Sequence, residues 1–64
     1  MFTGLKIEIN LENAAFSDGA ACLETARILR KYADAVEEGC GLEDLEARFR
    51  DINGNTVGDA RLTE

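Results

Sequence analysis

The chain has 64 residues, seven of them basic and thirteen acidic, for a net charge of −6, with no His, Trp or Pro. A chain this short builds one domain and at most a two-layer core. Its charge argues against a nucleic-acid surface, which needs clustered Lys and Arg to displace counterions, and against an anionic membrane.

Phe2 to Lys6 runs straight into a strand pattern, so no secretory leader is expected, and no apolar run approaches the ~20 residues that span a bilayer. Leu5, Ile7, Ile9 and Leu11 alternate with Lys6, Glu8, Asn10 and Glu12, the mark of a half-buried strand with one wet face. Asn13 to Gly19 breaks that alternation. Phe16 stands just before two candidate N-caps, Ser17 and Asp18, and is placed to staple the helix start.

From Ala20 to Glu38 the period becomes helical. Cys22, Ala26, Leu29, Ala33 and Val36 form an apolar stripe, which Leu23 and Ile28 widen and Tyr32 borders. Gly39 is the expected left-handed stop.

The last stretch, Glu46 to Leu62, reads as a hairpin about Asn53-Gly54, both of which tolerate the positive φ of a type I′ turn. That turn sets Phe49 against Gly58, Arg48 against Asp59, Ala47 against Ala60, Glu46 against Arg61 and Leu45 against Leu62. Arg50 then faces Val57, and Ile52 and Val57 fall on the outer, polar face. The predicted fold is α+β in the order β-α-β-β, one helix on one face of a three-stranded, mainly antiparallel sheet. The third strand is expected to be central because it can pair antiparallel with both neighbours; the alternative sets the first and second strands side by side in parallel. Ile7, Phe49 and Leu29 are expected to share the interior.

No constellation for catalysis, a cofactor or a metal emerges. Ser17 has no His as a base, and acids surround Cys40, which disfavours a thiolate. Cys22 and Cys40 lie roughly 27 Å apart along one helix, too far for a bridge or a shared zinc, and Cys22 reads as a small buried hydrophobe. Asp51-x-Asn53-x-Asn55 starts like a calcium loop but has Thr56 and Leu62 where Gly and Glu belong.

The charge map says more. No basic residue falls between Lys31 and Arg48, yet Asp34, Glu37, Glu38, Glu43, Asp44 and Glu46 do. Glu37 and Glu38 occupy the last helical turn, where the macrodipole disfavours anions. Two contact surfaces are therefore expected: an acidic end (Glu37, Glu38, Glu43, Asp44) for a basic partner, and a hairpin tip (Arg50, Ile52, Asn53, Val57). Self-association through a sheet edge or the outer sheet face, giving a homodimer, is the alternative.

Asn13-Ala14-Ala15-Phe16, the run Ala26 to Lys31, and Arg50-Asp51-Ile52-Asn53-Gly54-Asn55-Thr56-Val57-Gly58 together resemble small acidic accessory proteins encoded by phages and prophages. Such relatives commonly carry Trp near position 60, where this chain has Ala60. The resemblance implies no catalytic residues. It implies a binding protein in the cytoplasm of an infected or lysogenic bacterium, inhibiting a host protein such as a defence component of the CRISPR or restriction type.

Overall fold

A computed structural model describes residues 1–17, 19–39 and 41–64. Strand β1 (Gly4–Ile9) leads through a 3₁₀ turn (Ala14–Phe16) to helix α1 (Ala21–Gly39). A second 3₁₀ turn (Leu42–Leu45) precedes β2 (Ala47–Arg50) and β3 (Thr56–Thr63). The sheet order is β1-β3-β2 and both pairings are antiparallel. The expected α+β architecture with a central third strand is the one the chain forms.

β1 stops three residues short of its alternating pattern. Asn10 makes a last ladder bond, N–H to the Val57 carbonyl at 2.7 Å, and its side chain then accepts from the Glu12 amide at 2.8 Å, which turns the chain. Asn13 caps the first 3₁₀ turn by accepting from the Ala15 amide, and that turn delivers Phe16 into the core. Ser17 does not cap α1: its hydroxyl donates back to the Ala14 carbonyl at 2.7 Å. The Glu24 amide bonds the Ala20 carbonyl and opens the helix, while Asp18, the other expected cap, lies outside the described residues. Gly39 is the last helical residue, not a left-handed stop beyond it. Its bareness admits Asp44, whose carboxyl carbon would lie 2.6 Å from a Cβ there.

The hairpin keeps its expected register at Ala47–Ala60, Arg48–Asp59 and Phe49–Gly58, but Arg50 faces Thr56 and the ladder is irregular there. The loop has three residues, Ile52 to Gly54, closed by the Asp51 amide on the Asn55 carbonyl (2.9 Å) and the Gly54 amide on the Asp51 carbonyl (3.0 Å). Gly54, at φ +85°, is the left-handed residue such loops require. Asp51 selects this turn: one carboxylate oxygen accepts from the amides of Asn53 and Asn55, both at 2.9 Å. Val57 becomes the unpaired residue of the bulge and turns into the core, not onto the outer face as expected. Glu46 and Leu45 do not pair with Arg61 and Leu62 in a strand, because β2 begins at Ala47 and Leu45 belongs to the 3₁₀ turn.

The buried core is Phe16, Ile28, Phe49, Val57 and Ala60, with Ile9, Ala15, Ala21, Tyr32 and Ala47 packed against it. The expected meeting of Ile7, Phe49 and Leu29 fails: Phe49 is buried, but Ile7 is 42% exposed and Leu29 37%. α1 is rolled so that Ile28 and Tyr32 face inward while Cys22, Leu29 and Ala33 turn out. Tyr32 holds this roll, its ring edge-on to Phe49 at 5.2 Å and its hydroxyl donating to the Leu45 carbonyl at 2.7 Å. Gly58 is required by the neighbouring strand, since a Cβ there would collide with the Glu8 carbonyl of β1.

The bulge makes Val57 and Ile52 unequal. Val57→Ala should cost about 2 kcal/mol in urea unfolding, whereas Ile52→Ala should change stability by less than about 0.5 kcal/mol. Equal effects would mean the regular two-residue register. Gly58→Ala should cost about 3 kcal/mol or more, because the obstructing atom is backbone and cannot rotate away.

Candidate functional site

The surface divides by charge, and the helix roll decides how. Glu24 sits on the inward face of α1, buried, with its two oxygens bonded to Arg27 Nε (2.7 Å) and Nη2 (3.0 Å). The second oxygen also accepts from the Ile52 amide at 2.8 Å, tying the helix start to the hairpin loop. Arg27 reaches on to the Arg50 carbonyl at 3.3 Å. The bonds from Arg27, followed by that from the Ile52 amide, hold the Glu24 carboxyl below the usual carboxylate range against its partial desolvation.

Arg27 and Lys31 therefore overhang β2, where Arg48 and Arg50 join them around a small cleft floored by Tyr32 and Phe49. Four of the seven basic residues meet there. The helix spacing of Arg27 and Lys31 is visible in the sequence, but their meeting with β2 depends on the roll of α1. On the outer sheet face Arg61 bonds Glu8 across the strands (2.8 Å) and Asp59 on its own strand (2.6 Å). Hydrogen bonding to Arg61 draws the exposed Glu8 carboxyl down and raises the guanidinium further. Glu8, tied to Arg61 in this way, stays ionised at neutral pH and is not poised to donate a proton.

The acidic residues gather where α1 ends. Glu37 and Glu38 in the last turn, and Glu43 and Asp44 in the 3₁₀ turn that follows, are all exposed. Asp44 has a structural share as well, accepting from the Gly41 amide at 3.0 Å. At the hairpin tip Arg50, Asn53 and Ile52 are exposed, Ile52 by 72%. Val57 is buried and leaves the expected contact set. The two surfaces are not brought together: Glu24 fixes the tip near the start of a 19-residue helix, and the acids lie at its other end, about 20 Å along the axis. Cys22, expected to be buried, is exposed and free on the outward flank, and Cys40 lies outside the described residues.

The described residues contain no helix long and apolar enough to cross a membrane. No protein-family model, no curated protein and no solved structure matches the chain.

Since the folded-state pKa of Glu24 is lowered, its stabilisation is complete above the ordinary carboxylate range and fades as pH falls through the depressed value. Glu24→Gln should lower the urea midpoint at pH 7 and flatten its fall below pH ~4.5, the ordinary range of a glutamate. An acid limb as steep as that of the unmodified chain would show that Glu24 contributes nothing to it.

Proposed function

We propose that the chain is a non-enzymatic binding protein that docks on a basic surface of another protein. The observation that carries this reading is the acidic end. Glu37 and Glu38 in the last turn of α1, and Glu43 and Asp44 in the 3₁₀ turn that follows, are exposed where the helix dipole adds negative potential instead of cancelling it. A natural sequence optimised only for stability would place Lys in that turn. A field of this kind steers a basic partner and sets its orientation. The hairpin tip, with Arg50, Ile52 and Asn53, is a second contact surface for a partner large enough to reach it.

The phage-like motifs supply the context: a cytoplasmic inhibitor of a host defence component, acting by occupying a surface that normally grips nucleic acid. The net charge of −6 weighs against the chain itself gripping nucleic acid.

Capture from bacterial lysate by the tagged chain should enrich a basic protein at low salt. The yield should fall at least ten-fold when Glu37, Glu38 and Glu43 become Gln and Asp44 becomes Asn, and fall likewise as salt rises. Capture indifferent to both changes would remove the acidic end from the function.

A further inference from the structure

The sheet ends at β2, and the ladder shows which backbone groups that edge leaves over. In β3 the Val57 and Thr63 carbonyls accept from the amides of Asn10 and Thr3, on the β1 side. The odd-numbered residues of β3 therefore turn their backbone groups toward β1, and Gly58 and Ala60 turn theirs toward β2. Phe49 and Ala47 are the partners of that pair, so the amide and carbonyl of Arg48 between them point away from β3 into the open edge. Arg50 agrees with this phase. Its carbonyl lies 3.3 Å from Arg27 Nη2 on the outer side, while the next amide, that of Asp51, turns inward to the Asn55 carbonyl.

The same edge forms a wall of the basic cleft. Arg27 and Lys31 of α1 stand over it, Arg48 and Arg50 flank it, and no carboxylate is among the residues that line it. In a chain of thirteen acids and seven bases, that gathering reverses the overall composition. Arg27 is shared with Glu24, but Lys31, Arg48 and Arg50 are exposed and pair with no carboxylate among the described residues. Cations along an edge repel the same edge of a second copy and call for an occupant of the opposite sign. At about 190 Å³ the cleft is smaller than the ~300–1,000 Å³ that encloses a small ligand, so what fits is a strip laid along β2. A phosphodiester strand has no backbone N–H to give the Arg48 carbonyl, and beyond β2 it meets Glu46, exposed directly before Ala47. A peptide backbone has both groups.

We propose that the β2 edge takes an extended acidic segment of another protein as a fourth strand of the sheet. The segment's backbone exchanges hydrogen bonds with the amide and carbonyl of Arg48 and accepts one from the Arg50 amide. Its side chains alternate across the added strand. Phe49 is buried under α1, so Arg48 and Arg50 belong to the outer face, where one set of carboxylates meets them; the other set meets Lys31 and the outer side of Arg27. Backbone bonds hold the segment and the cations select its sequence. β2 is four residues long, so a segment of ~13–20 Å suffices. The site differs from the acidic end in place and in sign, and it stands whether or not that end docks on a basic protein.

The probe is a blocked hexapeptide of four glutamates flanked by threonines, titrated into the ¹⁵N-labelled full chain at low salt. Saturable shifts centred on β2 are expected, with hydrogen exchange of the Arg48 amide slowed about ten-fold and that of Phe49, already in the ladder, unchanged. Replacing every Glu of the peptide by Gln, or adding salt to ~0.5 M, should weaken binding about ten-fold. N-methylation of the four glutamates, which keeps the charge and removes the strand's donors, should weaken it as much. Lys31→Gln with Arg48→Gln, both at exposed positions, should do the same while leaving the acidic end's capture of a basic protein intact. No shifts at ~1 mM peptide, equal binding of the N-methylated peptide, or an Arg48 amide that stays unprotected overturns the proposal. So does a hexathymidylate that binds more tightly, which gives the cleft to nucleic acid. A peptide-free dimer with the Arg48 amide already protected also overturns it, by giving the edge to a second copy.

Discussion

A carboxylate inside the helix–sheet interface governs how this small protein is put together. Glu24 accepts from both arms of Arg27 and from the Ile52 amide, so one side chain joins the first turn of α1 to the hairpin loop. A buried carboxylate left without these partners would be strongly destabilising, which makes the contact selective as well as attractive. Tyr32 does the same for the middle of the helix by reaching the Leu45 carbonyl, thirteen positions on in the chain. Pinned at these two points, α1 has one roll about its axis.

That roll has consequences beyond packing. It draws Arg27 and Lys31 over β2, beside Arg48 and Arg50, and leaves Cys22, Leu29 and Ala33 exposed. The result is a molecule with a basic cleft along one edge, an acidic end, and apolar residues left bare. Its principal extents, 40 × 23 × 17 Å, keep the acidic end and the hairpin tip well apart.

The hairpin loop shows how much a local pattern can carry and where it fails. Asn53-Gly54 marks the turn correctly, and the pairs from Phe49–Gly58 to Ala47–Ala60 follow from alternation. The loop length does not follow, because Asp51 competes for the same amides and lengthens the turn by one residue, which the bulge at Val57 then absorbs. Val57 moves from surface to core through that single hydrogen-bonding choice. The acidic end was legible as a run of residues, since a short loop after a helix keeps its charges together. The basic cleft was not, since its members come from two elements whose meeting depends on the roll of α1.

Element types and their order were determined by the sequence itself, through hydrophobic period and turn residues, whereas the choice between β3 and a parallel β1–β2 pair at the centre fell to the sheet as folded. Which side of α1 faces the sheet was decided only in the tertiary structure. Counting apolar residues favours the stripe through Cys22, Leu29 and Ala33, but a buried Glu24 and an inward Tyr32 each satisfy a backbone group that the stripe would leave unmet. Hydrogen bonds between residues 28 and 13 positions apart leave no mark on a local pattern, and they outweighed it here.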